Sequence, residues 1–287
     1  HKEGYKIDIN KRRIKLSGKT KAGVFYAIQS LRQLLLEHGN KLPLVKIEDR
    51  PRYSFRSLML DPARHFIAVK DVKKFIDIMA YYKYNTLHLH LCDDQGWRIE
   101  SKKYPKLTTI GSKRKETEGD GKAHGGFYTQ KDLKSIVAYA KRRHIEVMPE
   151  IDLPGHSVAI IASYPEFNCF PKKLEVRTIP GVSKDLMCAG NKNVYKFYED
   201  ILAEVAAIFP CKTIHLGGDE APLDHWKKCP KCQKTMKKEK LANTHKLMAH
   251  FFSKINQILV KHGKVPMLWF EEGDHSYPKN SAVVMWR

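Results

Sequence analysis

Six short apolar runs alternate with longer amphipathic segments from residue 55 onward, and this rhythm limits the fold more than any other feature of the sequence. The runs are FRSLMLD, NTLHLHL, IEVMPEID, TIHLGGDE, VPMLWF and AVVMWR. Each is apolar nearly throughout, as expected for parallel strands covered by helices. Helical patterns near 70–83, 130–143, 193–208 and 240–262 separate them. Such βα repetition suits either a doubly wound sheet or an eight-stranded barrel. The polar residues at the carboxyl ends favour the barrel: Asp61, Asp93 and Asp94, Glu150 and Asp152, Asp219 and Glu220, Trp269, and Trp286. A barrel gathers all those ends into one mouth, whereas an open sheet concentrates them at one crevice. The expected fold class is α/β, a (β/α)8 TIM-type barrel over residues 51–287 that is incomplete, with about six strands present. Residues 1–50 read as part of a small α/β domain: two alternating strands, GYKIDI and RRIKLSG, a helix over 22–37 and a further strand, LPLVKIED.

Lys and Arg number 52 against 31 Asp and Glu, a formal net charge of +21. That excess would favour an acidic polymer, but the lysines are scattered along amphipathic segments such as VKDVKKFIDIM and QKDLKSIVAYAKRR. Solvated helix faces account for them, and nucleic acid is not an expected partner. No run approaches the ~20 apolar residues of a membrane-spanning helix, and HKEGYKIDIN has no signal-peptide core. Among the six cysteines, Cys169 and Cys188 bracket a loop-like stretch, and a bridge closing it is expected if the protein is exported. Cys229 and Cys232 form CPKC, half of a zinc site, with no second CxxC or paired histidines at the usual spacing. A surface pair is the expected reading.

The sharpest local feature is HLGGDEAP at 215–222, two adjacent carboxylates after a strand and two glycines. Successive strand residues point to opposite sides, so Asp219 and Glu220 share one site only if the backbone turns there. Gly217 and Gly218 make that turn cheap and leave room for a ligand. On residue chemistry alone, a solvated pair capping the next helix fits equally well.

Four more segments bear on that choice: RSLMLDPARHF at 56–66, HLHLCDDQGWRIE at 88–100, GGFYTQKDL at 125–133 and PEIDLPGH at 149–156. Together with HLGGDEAP, in order and spacing, they resemble the signature segments of the β-N-acetylhexosaminidases of glycoside hydrolase family 20. The likeness covers nearly the whole chain, residues 1–50 resembling the later part of the domain that precedes the family's barrel. It implies a retaining exo-glycosidase that removes terminal β-linked N-acetylhexosamine, in which the substrate's own 2-acetamido oxygen is the nucleophile. By that resemblance Glu220 is the general acid and then the base, while Asp219 orients the acetamido group and stabilises the oxazolinium-like intermediate. Asp93 and His156 form a relay supporting Glu220, and Arg64 holds hydroxyls of the terminal sugar. Trp269 and Trp286 wall the pocket, aromatic faces being suited to the apolar face of a sugar. The implied partner is an N-acetylhexosamine-terminated glycan, with no metal or cofactor, and the implied location is outside the cytoplasm. Leu89, Ser57 and Phe270 stand where the family usually has tryptophan, glycine and an acidic residue. The family's later tyrosine, tryptophan and glutamate contacts would fall past Arg287.

Several alternatives arise from the residues themselves. Arg64 suits an ion pair with Asp61 as well as a sugar contact. His88 and His90 lie on one side of a strand and, with His156, His215 and Asp219, would suit a metal-dependent hydrolase. A non-catalytic sugar-binding protein of the same fold is a further possibility, against which the Asp219–Glu220 pair argues. Trp97, in DDQGWR, reads as packing.

Overall fold

A computed structural model describes residues 1–271 and 277–286. The chain divides into two compact units, one formed by His1–Leu58, Val69–Leu87 and Ile136–Val147, the other by Met59–Ala68, His88–Ser135 and Met148–Arg287.

In the first unit, strands β1 (Tyr5–Ile9), β2 (Ile14–Gly18) and β3 (Val45–Asp49) form an antiparallel sheet in the order β2-β1-β3. The central strand has the period of two that its sequence requires: Tyr5, Ile7 and Ile9 are buried and join Tyr26 and Ala27 of the helix Lys21–His38 in a small core. Thr20 starts that helix by accepting the Gly23 N–H on its hydroxyl. The helix Val69–Tyr81 buries Val72, Ile76, Met79 and Ala80, one stripe at helical spacing, and leaves its lysines outside.

Six strands make the principal sheet: β4 (Ser57–Leu60), β5 (Thr86–His90), β6 (Glu146–Glu150), β7 (Thr213–His215), β8 (Val265–Trp269) and β9 (Ala282–Val284), in the order β9-β8-β7-β6-β5-β4. Every neighbour in the sheet is the neighbour in sequence, with helices in the connections from β4 through β8, as in the parallel half of a (β/α)8 barrel. The fold class expected from the strand rhythm is therefore the observed one. Parallel registers pair Glu150 with His215, His215 with Met267, and Trp269 with Val284, which brings the carboxyl ends of β6 to β9 level. All five residues of β5 are buried, which explains why its sequence does not alternate.

The helices Gln130–Lys141, Lys192–Ile208 and Thr244–Lys261 follow the expected pattern. The last begins later than its periodicity suggests because Asn243 caps it, accepting the Lys246 N–H. Two short helices, Asp224–Lys228 and Pro230–Lys238, lie in a lysine-rich stretch to which the apolar periodicity assigns no element.

The cysteine expectations are corrected. Cys169 and Cys188 are not bridged, and none of the six cysteines forms a disulfide. Cys229 and Cys232, expected at the surface, are wholly buried, because the turn between the two short helices faces inward onto Cys169 and Cys188.

Candidate active site

Glycine chemistry sets the turn after β7. Gly217 and Gly218 have φ of +62° and +93°, a region L-residues with a Cβ rarely adopt. A Cβ on Gly217 would fall 2.0 Å from an Asp152 carboxylate oxygen, and the Gly218 N–H donates to that carboxylate at 3.1 Å. The backbone thus wraps Asp152 closely and re-aims the next two residues. Glu220 itself has φ of +50° and His156 of +47°, and such left-handed non-glycine residues cluster at functional sites. Asp219 and Glu220 do not cap the following helix, which starts at Asp224 with Leu223 as its cap.

His156 brings the pair together. Its Nε2 lies 3.8 Å from Asp219 Oδ2 and 3.8 Å from Glu220 Oε2, and it makes no hydrogen bond. The opposite ring nitrogen, Nδ1, is 3.2 Å from Asp93 Oδ1. Asp93 is in turn held by Arg64 Nη2 at 2.7 Å and by His90 Nε2 at 2.9 Å. Arg64 also meets Asp61 at 2.9 Å, so the ion pair suggested by sequence exists, yet 41% of the Arg64 side chain remains exposed.

A second acid, Glu150, anchors the floor. It is fully buried and faces His88 Nε2 at 2.9 Å, His90 Nδ1 at 2.5 Å and His215 Nδ1 at 3.1 Å, and it accepts the indole N–H of Trp269 at 2.9 Å. The HxH pair on β5 therefore meets a carboxylate rather than converging with His156 and Asp219. Both ring nitrogens of His90 face carboxylates, an arrangement that suits the doubly protonated ring. Burial opposes that charge, but Glu150 and Asp93 outweigh it and lift the His90 imidazole well above its usual value.

The same reasoning orders the other groups. Burial opposes ionisation of Asp93, yet its bonds to His156 and His90 hold it well below the carboxylate range. Burial likewise works against charge on His156, and the neighbouring carboxylates, hydrogen-bonded Asp93 among them, raise it nonetheless. Asp152 goes the other way: burial first, then the Asp219 charge, push its carboxyl well above the usual range. Asp219 is raised to about 6, chiefly by burial, against the pull of His156. Its Oδ1 is buried without a hydrogen-bond partner, an acceptor left open inside the site.

Trp269, at the end of β8, lies against His215 with centroids 4.5 Å apart and is 6.4 Å from Trp286, which is 40% exposed. Trp97 is fully buried near Phe197, as packing requires. Asp219, Glu220, Asp93, His156 and Arg64 thus form one connected constellation, and Trp269 joins it through Glu150. The sequence marks Glu150 and Asp152 at a strand end without giving them a site role, and His90 only as a candidate metal ligand. Their signal was present: Glu150 and Asp152 stand two apart at a strand end, as do His88 and His90, so each pair faces one side.

The Glycosyl hydrolase family 20 catalytic-domain model matches residues 53–287, and the model of that family's domain 2 matches residues 1–50. A β-hexosaminidase of Porphyromonas gingivalis is 45% identical across 99% of this chain and 38% of its own length. One from Akkermansia muciniphila is 44% identical across 99% of this chain and 59% of its own. The chain therefore spans only part of these relatives. Among solved structures, the exo β-N-acetylglucosaminidase of Vibrio harveyi in complex with N-acetylglucosamine superposes with a TM-score of 0.91 at 34% identity, over all of this chain and 47% of that one. With both halves of the sequence matched, and with identity well above what fold alone produces, the chain belongs to glycosyl hydrolase family 20.

Proposed function

We propose that the protein containing this chain is a retaining β-N-acetylhexosaminidase that uses its substrate's acetamido group as nucleophile. The observation that carries the reading is the buried, unpartnered Asp219 Oδ1 beside Glu220, with both acids facing the same imidazole nitrogen. An open carboxylate acceptor suits the acetamido N–H. Ionised Asp219 would then align the acetamido carbonyl oxygen for attack on the anomeric carbon and balance the positive charge of the oxazolinium. As that C–O bond forms, the glycosidic bond breaks and Glu220 gives its proton to the departing oxygen. Water, losing a proton to Glu220, then attacks the same carbon and reopens the ring, so two inversions yield retention.

In this proposal Asp93 and His156 position rather than react. The His156 imidazolium, fixed by Asp93, steadies negative charge on both acids, and Arg64 offers its outward N–H groups to sugar hydroxyls. Trp269 and Trp286 supply apolar walls. The partner is a glycan ending in N-acetylhexosamine. Location outside the cytoplasm belongs to the same proposal and is supported by the family resemblance alone; no described helix is long and apolar enough to cross a membrane.

The test compares aryl N-acetyl-β-glucosaminides with their deacetylated counterparts in the full-length protein and in Glu220→Gln. The deacetylated sugar should be nearly inert, and Glu220→Gln should lose far more activity on a poor leaving group than on a good one. Efficient cleavage of the deacetylated sugar, or equal losses on both leaving groups, would overturn the mechanism.

A further inference from the structure

Four cysteines that the catalytic reading does not use meet at one point. Cys169 and Cys188 come from the two sides of a long connection, and the isolated bridge between Asn168 and Met187 sets them side by side. Cys229 and Cys232 open the helix Pro230–Lys238. The sulfurs are 3.8 Å apart for Cys169 and Cys232, 3.7 Å for Cys188 and Cys229, and 3.7 Å for Cys188 and Cys232. All four Sγ atoms lie within 4.8 Å of one another, and each residue is at most 5% exposed.

These separations exclude disulfides, whose sulfurs stand ~2.05 Å apart. They match a tetrahedron around a metal with Zn–S of ~2.3 Å, for which geometry requires sulfurs about 3.8 Å apart. Thiols packed only as small apolar groups could touch at similar distances, but two further features point to ligation. The Cys188–Gly190 turn interlocks with the CPKC turn so tightly that a Cβ on Gly190 would lie 2.2 Å from the Lys231 carbonyl carbon and 2.4 Å from the Cys232 nitrogen. The CPKC turn with its two sulfurs is thereby held against the Cys188–Gly190 turn, which with the neighbouring Cys169 supplies the other two, as structural zinc sites are built from distant halves. The surroundings also suit a doubly negative tetrathiolate, since Lys227, Lys228 and Lys231 flank it in a chain of net charge +21.

We infer that Cys169, Cys188, Cys229 and Cys232 bind one structural zinc ion. Four protein ligands leave no open coordination position, so the ion takes no part in the hydrolysis. It staples the connection after β6 to the segment that follows Glu220. The same junction is tied by the buried Trp226, whose indole N–H donates to the Met187 carbonyl at 3.0 Å. CPKC is half of a zinc site in sequence; the other half is a pair 19 residues apart that no local spacing rule would join.

Elemental analysis of the purified full-length protein should find one zinc per chain, and Cys188→Ser or Cys229→Ser should abolish it. Because those variants can fail to fold, the wild type is also grown with cobalt. A cobalt-loaded protein should show the strong visible d–d bands and the near-ultraviolet thiolate-to-metal absorption of a tetrahedral tetrathiolate. Absence of metal, iron in place of zinc, or a cobalt spectrum of another geometry would overturn the assignment. None of these readouts depends on hydrolysis, so they stand apart from the catalytic proposal.

Discussion

Replacing Asp219 by asparagine should make the protein more stable while removing its proposed chemistry. The Asp219 side chain is only 14% exposed, and its carboxyl is raised from 3.8 to about 6, burial being the main cause. A group favoured in its neutral form by folding contributes stability that is present below the unfolded value and lost as pH rises through the folded one. At neutral pH and above, keeping Asp219 ionised in the fold therefore costs about 3 kcal/mol, a net figure that already includes attraction to the His156 imidazolium. An asparagine at this position carries no charge, so Asp219→Asn should gain up to about 3 kcal/mol near pH 8, and the gain should fade to nothing at about pH 3, below the unfolded value. Urea unfolding of wild type and variant at several pH values measures the difference directly. A variant that is no more stable near pH 8, or whose advantage does not change with pH, would refute the argument. The expected outcome is a stability–activity trade-off located in a single carboxylate.

The same titration should appear in catalysis: kcat/KM is expected to fall on the acid side of about pH 6, as Asp219 gains a proton and loses the charge that balances the oxazolinium, and a profile flat through that region would contradict it. Gly217→Ala should destabilise by about 3 kcal/mol, from left-handed backbone and from overlap with Asp152. Gly263→Ala, with φ of +67° and nothing within 4 Å of the new Cβ, should cost only about 1 kcal/mol, and equal losses in the two variants by urea unfolding would show that the Asp152 contact is unimportant.

Much of this arrangement could be read from the residues because each helical stripe and each apolar run obeyed local rules. The stripe Val72, Ile76, Met79 and Ala80 announced its helix. The double glycine announced the turn that presents Asp219 and Glu220. What remained hidden depends on distance through space. The site histidines, acids and arginine were singled out by resemblance, but nothing in HLHL shows that Glu150, 60 residues later, receives both imidazoles. Strands buried on both faces carry no alternation to say which side a polar residue serves. The cysteine cluster was misread for the same reason: Cys169 and Cys188 suggest a closed loop and Cys229 and Cys232 a surface turn until the chain is folded. The two short lysine-rich helices were missed because most of their residues face water and bury little of the apolar stripe by which helices are recognised.

Two anchors, Asp61 and Asp93, grip the Arg64 guanidinium from within the protein. A long flexible side chain ordinarily gives up ~2 kcal/mol of rotamer freedom when it grips a ligand. Here that loss is incurred during folding, because both carboxylates already immobilise the group. Whatever polar group arrives at its solvent-facing edge meets donors at rest, so affinity there is governed by fit and desolvation alone.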